Sequence, residues 1–323
     1  MRVLIFGAGA LGSLFGGLLA EKNEVHLLGR GEHMAAVRQH GLMLEGEISK
    51  RAMIKTLDRL DAGDTYDLAI LTTKSYDTQD AMDAMKTLWE DCIFLSFQNG
   101  LENEDWIAES ARYVVGGVTS HGAYIPSPGT VIHAGVGETW IGPWKGVSTA
   151  RVAELAVGLS ASGIQTSVSE QIRIEKWRKA IVNAAINPLT ALLRCKNGEL
   201  LEIPQALSIM EQVIRECVEI ARSHEYFFRQ EDILEMTRNV CTLTRENRSS
   251  MLQDVLKGRR TEVHEINGSF VRKGKERKVR TPVNETLVDA IAASERGNFS
   301  ADPIKEGILR HLESQIAART QVA

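Results

Sequence analysis

Short apolar runs alternate with helical stretches through the first half of the chain. The runs are Val3 to Phe6, Val25 to Leu28, Leu68 to Leu71, Ile93 to Phe97 and Tyr113 to Val115. Such runs, separated by amphipathic segments, are typical of a parallel sheet that is covered by helices. The stretch from Tyr124 to Thr130, which contains prolines and a glycine, leads into Val131 to His133 and predicts a hairpin that caps the sheet.

From about Ser148 the spacing of apolar residues becomes helical and glycines become sparse. The short run Gln165 to Val168 precedes a long helical segment that starts near Glu170, so we place a domain boundary between them. The predicted fold class is α/β, with an N-terminal Rossmann-type doubly wound sheet over residues 1–168 and an all-helical domain over residues 169–323. The basic run from Arg272 to Arg280 lacks interleaved aromatics, which favours a solvated loop between helices.

Composition narrows the class of protein. Hydrophobic residues make up 43% of the 323 residues and charged residues 25%, as in ordinary soluble globular proteins. The net charge of −4 provides no basic field for a nucleic acid or an anionic membrane, so neither is an expected partner. The four cysteines lie far apart without a CxxC pair, and no apolar run is long enough to span a bilayer. We therefore expect a cytoplasmic protein without a zinc cluster or a disulfide framework.

A GxGxxG motif follows the first apolar run directly and opens a helix. In the Rossmann pattern the first glycine makes a tight turn, the second lets the backbone approach a pyrophosphate, and the third lets helix and strand pack closely. The start of the helix then offers free amides and the positive end of its dipole to the anion. The residues expected to bind the cofactor here are Gly7, Ala8, Gly9, Ala10, Leu11 and Gly12.

The end of the second apolar run predicts which dinucleotide binds. An enzyme that uses NAD commonly carries a carboxylate there, which accepts hydrogen bonds from the ribose hydroxyls. This chain instead has Gly29 and then Arg30, whose guanidinium suits a 2′-phosphate in charge and in geometry. The sequence therefore favours NADP(H) over NAD(H).

Three polar residues share one face of an otherwise apolar helical segment. Lys179, Asn183 and Asn187 follow i, i+4, i+8 spacing, and Pro188 is expected to kink the helix or end its regular ladder. Asparagines are poor choices for an exposed helix interior, so this face predicts a site rather than a solvated stripe. A lysine there can serve as a general acid that gives a proton to a carbonyl oxygen as hydride reaches the carbon.

Together these segments resemble the ketopantoate reductase family (2-dehydropantoate 2-reductase), and the resemblance covers nearly the whole chain. The matching pieces are Gly7 to Gly12, Thr72 to Lys74, Gln98 to Gly100, His121 to Ala123, Trp177 to Thr190, Asn197 to Leu200, Asn247 to Asp254, and Thr261 to Gly268. The resemblance implies a Rossmann domain joined to a 6-phosphogluconate-dehydrogenase-like helical domain. It also implies NADPH-dependent reduction of 2-dehydropantoate to (R)-pantoate in pantothenate and coenzyme A biosynthesis.

The resemblance also implies roles for single residues. Lys179 would be the proton donor that contacts the substrate carbonyl, with Asn183 beside it in the catalytic set, and Glu262 would contact the cofactor and help position the ternary complex. The other residues implied in the substrate site are Asn187, Asn197, Asn247 and Ser250. The other residues implied in cofactor binding, besides the glycine turn and Arg30, are Lys74, Asn99 and Ala123. Trp177 is expected to pack as core beside Lys179.

Several alternatives stay open at this stage. The substrate could be another small branched 2-oxo acid, or the protein could be a non-catalytic NADP(H)-binding sensor whose helical domain binds a partner protein. A sensor has no need of a lysine aligned with two asparagines. We expect no metal, because His264 and Glu265 beside Glu262 form a cluster without a further partner at ligand spacing, and we expect His121 and His133 to be structural. The sequence does not decide between a monomer and a homodimer.

Overall fold

The computed structural model describes residues 1–296 and 305–321, and the chain divides into two compact units, Met1–Lys176 and Trp177–Ala323. The strands of the first unit are β1 (Arg2–Phe6), β2 (Glu24–Leu28), β3 (Leu42–Gly46), β4 (Lys50–Ala52), β5 (Lys55–Leu57), β6 (Leu68–Leu71), β7 (Ile93–Ser96), β8 (Tyr113–Thr119), β9 (Gly122–Ser127), β10 (Thr130–Gly135), β11 (Thr139–Lys145) and β12 (Thr166–Val168). Its helices are α1 (Ala10–Leu19), α2 (Glu32–His40), α3 (Thr78–Ala84), α4 (Asn103–Ser110) and α5 (Thr149–Ala161), with 3₁₀ turns at Ser75–Asp77 and Lys86–Leu88.

The main sheet of the first unit is doubly wound, as predicted. Its strand order is β12-β11-β8-β7-β6-β1-β2-β5, and the strands from β5 to β8 run parallel. The chain moves outward from β1 to β2 and β5, then returns to place β6 on the other side of β1. Ligands of such sheets bind at the carboxyl ends of the strands beside this switch point. At the far edge β11 pairs antiparallel with β8, so the sheet is mixed there.

Successive side chains of the central strands point alternately into two apolar cores, one on each face of the main sheet. On β1, Val3 and Ile5 join the core that contains α1 and α5, whereas Leu4 joins the core under α3 and α4. Successive side chains of a strand point to opposite faces, so a strand covered on both faces must be apolar throughout. The five predicted apolar runs lie in β1, β2, β6, β7 and β8.

The predicted hairpin forms, but it belongs to a second sheet of order β4-β3-β10-β9. β9 and β10 pair antiparallel, and β10 also pairs parallel with β3. Apolar side chains of this sheet, among them Leu42 and Leu44, share the core of α1. A Cβ atom at Gly17 on α1 would lie only 2.7 Å from Leu44 Cδ1, so the sheet packs closely against the helix at this glycine. The hairpin therefore covers α1 and does not cap the main sheet.

The second unit is helical in its described residues, as predicted. Its helices are α6 (Ile172–Leu193), whose first turn lies in the first unit, α7 (Pro204–Ser223), α8 (Gln230–Leu243), α9 (Ser250–Leu256), α10 (Asn267–Arg277), α11 (Pro282–Glu295) and α12 (Lys305–Gln321), with a 3₁₀ turn at Asn197–Glu202. The predicted domain boundary after residue 168 precedes α6 and stays a prediction. Among the described residues, no helix has both the length and the apolarity needed to cross a membrane.

The prediction that Arg272 to Arg280 form a loop is wrong. Most of this run lies in α10, which ends at Arg277, before Lys278 adopts a left-handed backbone with φ 59°. Phe270 and Gly274, one turn apart, are buried, while most of the basic side chains between and after them are exposed. The run is therefore the solvated face of an amphipathic helix.

Candidate functional site

The glycine turn after β1 has the shape that the motif predicts. Gly7 adopts φ 115°, and a Cβ atom there would lie 2.6 Å from the backbone nitrogen of Thr73. A Cβ atom at Gly12 would lie 2.1 Å from the carbonyl oxygen of Gly7, so this position also excludes any side chain. At Gly9 the same construction meets nothing within 4 Å. The outer glycines are thus required by the fold, whereas Gly9 leaves open space at the start of α1.

That open space faces the free amides of a helix. Gly9 is the N-cap of α1 and has no side chain that could cap the helix. The first hydrogen bond of the helix runs from the amide of Ser13 to the carbonyl of Gly9, at 2.9 Å. The amides of Ala10, Leu11 and Gly12 therefore have no intrahelical acceptor. A pyrophosphate fits this arrangement, because it needs donors, a positive dipole end and room for its oxygens.

Arg30 lies at the same edge of the sheet. Gly29 comes so close to the turn that a Cβ atom there would lie 2.5 Å from the Cβ atom of Ala8, and the Gly7 amide donates to the Leu28 carbonyl at 3.1 Å. Arg30 follows directly, and its side chain is exposed. In Rossmann folds, an arginine near the end of the second strand can contact the 2′-phosphate of the adenosine ribose, and Arg30 occupies such a position.

Lys74 and Asn99 follow the neighbouring strands β6 and β7, and hydrogen bonds join their two loops. Ser75 Oγ donates to the Asn99 carbonyl at 2.6 Å, and Asn103 Nδ2, at the start of α4, donates to Ser75 Oγ at 3.1 Å. Both Lys74 and Asn99 are half-buried. Ala123 lies on β9, half-buried against the core of α1. The structure thus brings the ends of β1, β2, β6 and β7 to one edge of the sheet.

A buried ion pair that the sequence analysis missed supports the Asn99 loop. Lys176, near the start of α6, lies with its Nζ atom 2.6 Å from Glu104 Oε1 on α4, and both side chains are buried. Lys176 Nζ also donates to the Gln98 carbonyl at 2.9 Å. Burial raises the pKa of Glu104, and the nearby Lys176 ammonium opposes that shift. No local signal marks this pair, because its two members lie on helices far apart in the sequence.

His121 and His133 form a partly buried contact in the first unit. His121 Nδ1 lies 2.9 Å from His133 Nε2, so the N–H of one ring donates to the ring nitrogen of the other. Burial and the neighbouring His133 lower the pKa of His121 to about 4. The pair joins β10 to the segment before β9, which fits the structural role that we expected.

In the second unit, α6 carries the predicted line of polar residues. Lys179 and Asn183 are half-buried, whereas Asn187 is buried. Pro188 does not end the helix, which continues to Leu193. Trp177, two residues before Lys179, is buried against Tyr226 and Phe270, with ring centroids 5.1 and 5.7 Å away.

Two further segments meet where α6 ends. The amide of Asn197 donates to the Asn247 carbonyl at 3.0 Å, and its side chain donates to Thr244 Oγ1 at 2.9 Å. Thr190 Oγ1 on α6 lies 2.7 Å from Ser249 Oγ, which caps α9 immediately before Ser250. Asn197 is buried, while Asn247 and Ser250 are exposed. The segments that carry Asn197, Asn247 and Ser250 are therefore tied together beside the end of α6.

Glu262 lies in the turn that leads into α10. Its side chain is only 5% exposed, and its carbonyl accepts hydrogen bonds from the amides of Glu265 and Ile266. Burial raises the pKa of Glu265, although Arg260 lies 3.4 Å away and opposes the shift. Among the described residues there is no group of three or more side chains that could hold a metal ion.

Comparison with known proteins covers both units. The family model described as "Ketopantoate reductase PanE/ApbA" matches residues 3–146, and "Ketopantoate reductase PanE/ApbA C terminal" matches residues 171–295. A curated 2-dehydropantoate 2-reductase from Pyrococcus horikoshii is 41% identical over 91% of this chain and 98% of its own length.

Solved structures also match over nearly the whole chain. A PanE/ApbA family ketopantoate reductase from Ralstonia eutropha is 31% identical, with a TM-score of 0.85 over 92% of this chain and 99% of its own. A D-mandelate dehydrogenase, solved with NADH and anilino(oxo)acetate, is 29% identical with a TM-score of 0.88 over the same shares of the two chains.

Proposed function

Because this chain belongs to the ketopantoate reductase family, we propose that it reduces 2-dehydropantoate to (R)-pantoate with NADPH, in the biosynthesis of pantothenate and coenzyme A. One observation carries the proposal: relatives named for this reaction match 91% and 92% of the chain. The family models cover both the glycine turn and the helical unit. An oxidoreductase that uses a nicotinamide cofactor follows from the family, whereas the choice of NADPH and the roles below are proposed.

The proposed choice of NADPH depends on Arg30. The guanidinium is exposed, and it follows Gly29, which packs against Ala8 of the glycine turn. Two parallel N–H donors on a permanent positive charge would bind a 2′-phosphate more strongly than a ribose hydroxyl. Lys74 and Asn99 would add contacts from the ends of β6 and β7, and Ala123 one from β9.

Lys179 is the proposed general acid. Bound NADPH would supply hydride to the carbonyl carbon, and the Lys179 ammonium would give its proton to the carbonyl oxygen, so that no free alkoxide forms. Asn183 and Asn187 lie one and two turns further along the same face of α6 and would hydrogen bond to the substrate. Trp177 packs into an aromatic cluster with Tyr226 and Phe270, and this packing fixes the part of α6 that carries Lys179 within the second unit.

The remaining predicted residues would complete the substrate and cofactor contacts. Asn197, Asn247 and Ser250 lie on segments that hydrogen bonds tie together beside the end of α6. An amide and a hydroxyl group suit the carboxylate and hydroxyl groups of a small 2-oxo acid. Glu262, buried before α10, would contact the cofactor and help position the ternary complex.

The likeness to D-mandelate dehydrogenase favours a second candidate, the reduction of another branched 2-oxo acid. The two candidates share the hydride transfer and the proton donor, and they differ only in the side chain of the substrate.

Steady-state oxidation of NADPH by the purified protein tests the proposal. The panel contains 2-dehydropantoate, 2-oxoisovalerate, an aromatic 2-oxo acid and pyruvate, and NADH is tested in parallel. We expect the highest kcat/KM with 2-dehydropantoate and NADPH. A higher value for 2-oxoisovalerate or for the aromatic acid would support the second candidate, and NADPH binding without turnover of any acid would support a sensor.

A further inference from the structure

The proline inside α6 removes a backbone donor at a buried position. In an α-helix the carbonyl of residue 184 accepts from the amide of residue 188, but residue 188 is a proline and has no N–H. Ala184 is fully buried, so water does not replace the missing donor. A buried carbonyl without a partner destabilises a fold, so the donor must come from another part of the chain.

Asn267 supplies that donor. Its Nδ2 atom donates to the Ala184 carbonyl at 3.0 Å and to Asn284 Oδ1 at 2.9 Å. Both partners are acceptors, so the reversed amide would place an oxygen against two oxygens. The side chain of Asn267, at the first position of α10, is fully buried.

Glu216 in turn orients Asn284. Glu216 Oε1 accepts from Asn284 Nδ2 at 2.8 Å and from the Asn284 amide at 3.0 Å, and Glu216 Oε2 accepts from the Val283 amide at 2.9 Å. Hydrogen bonds thus connect α7, α11 and α10 to the middle of α6. Every member of this chain of bonds lies within the second unit.

The carbonyl at the end of this network lies between two proposed substrate residues. Ala184 follows Asn183 directly, and Asn187 precedes Pro188. We infer that Asn267 is a positioning residue, which replaces the donor lost at Pro188 and thereby fixes the segment of α6 that presents Asn183 and Asn187 to the substrate. This inference rests on the proposed function, since it assigns those asparagines to the substrate site.

A double-mutant cycle tests the inference. Asn267→Ala removes the external donor, whereas Pro188→Ala restores the backbone donor to the same carbonyl. In the natural background we expect Asn267→Ala to raise the substrate KM about tenfold, because a small displacement of binding groups weakens their contacts. In the Pro188→Ala background, the increase in the substrate KM that Asn267→Ala causes should be smaller by a factor of about three or more. The affinity for NADPH should stay unchanged in all four proteins.

Ser269→Ala is the matched control. Ser269 is also fully buried in the first turn of α10, but its hydroxyl donates to the Ile266 carbonyl at 2.7 Å and stays within that segment. We expect this variant to lower the melting temperature without raising the substrate KM. An equal rise of KM in the control, or an Asn267→Ala effect that is the same in both backgrounds, would overturn the inference.

The melting temperatures of the same four proteins keep the test independent of catalysis. Pro188→Ala should reduce the loss of melting temperature that Asn267→Ala causes, whether or not the protein reduces any 2-oxo acid. Turnover of no acid by the natural protein would refute the proposed function, while additive melting temperatures would refute the donor replacement. If Asn267→Ala does not fold, Asn267→Leu, which keeps nearly the same shape but has no donor, takes its place with the same expected coupling.

Discussion

The two units build their candidate sites by different means. In the first unit the proposed pyrophosphate site is made of backbone: Gly7 and Gly12 exclude side chains, and Gly9 leaves room at the start of α1. In the second unit it is made of side chains on α6, which a buried network ending at Asn267 supports. The amides of the backbone site are consecutive in the chain, whereas the side-chain site depends on contacts between distant helices.

Lys179→Ala should have the largest effect on turnover. It should change the chemistry proposed for the second unit and leave cofactor binding by the first unit intact. We expect kcat to fall by about 10²- to 10⁴-fold, because the variant loses the proton donor. NADPH affinity, measured by fluorescence titration, should not change, since the glycine turn is untouched. Lys275→Ala, which removes an exposed lysine of α10, is the control and should leave both values unchanged. Turnover of Lys179→Ala within a few-fold of the natural protein would remove the proposed acid.

Alanine substitutions at Gly12 and at Gly9 should separate the structural role of the glycine turn from its role in binding NADPH. Gly12→Ala should destabilise the first unit by about 2 to 3 kcal/mol, because the new Cβ atom meets the Gly7 carbonyl. Gly9→Ala should leave the melting temperature nearly unchanged and weaken NADPH binding about tenfold, because its methyl group enters the open space. Thermal unfolding and NADPH titration of both variants measure this. Equal effects of the two variants on binding and on stability would contradict the assignment.

Arg30→Ala tests the choice of cofactor. We expect kcat/KM for NADPH to fall about 10- to 100-fold and the value for NADH to change little, because a charged hydrogen bond to the 2′-phosphate is lost. Arg38→Ala, which breaks an exposed ion pair with Asp58, serves as the control. An unchanged ratio of the two cofactors would assign the preference to another residue.

Two titratable groups, Glu216 in the second unit and His121 in the first, should make the stability respond to pH in opposite directions. Burial raises the pKa of Glu216 to about 7, so between pH 4.5 and about 7 the folded state keeps a proton that the unfolded state releases. The contribution of Glu216 to stability therefore falls by up to about 3 kcal/mol as pH rises through this range. The pKa of His121 is lowered to about 4, so its contribution falls as pH decreases from 6.5.

Melting temperatures between pH 4.5 and 8 measure both effects. Glu216→Gln should reduce the decrease in melting temperature toward high pH. His121→Asn should reduce the decrease in melting temperature toward low pH. A pH dependence that neither variant alters would place the titrating groups elsewhere.

The sequence predicted the first unit well because its signals are local. The glycine turn, the apolar runs and Arg30 each lie within a few residues of the feature that they define. It did not predict the second sheet, because the pairing of β3 with β10 joins strands far apart in the chain. The prediction of a loop at the basic run was wrong because it relied on the charges and overlooked the helical spacing of Phe270 and Gly274.

In the second unit, spacing alone predicted the polar face of α6, and the roles of Asn197, Asn247, Ser250 and Glu262 came only from the family resemblance. Two supporting contacts were missed, one in each unit. Lys176 and Glu104 form a buried pair, and Asn267 donates to Ala184. A proline inside a helix is the signal that could have prompted a search for a replacement donor, but the sequence does not show which residue provides it.

A crystal structure with NADP⁺ and 2-dehydropantoate tests the central claim most directly, because neither bound molecule can give hydride to the other. The account predicts the Lys179 Nζ atom within about 3 Å of the keto oxygen. A lysine turned into bulk water, away from that oxygen, would contradict it.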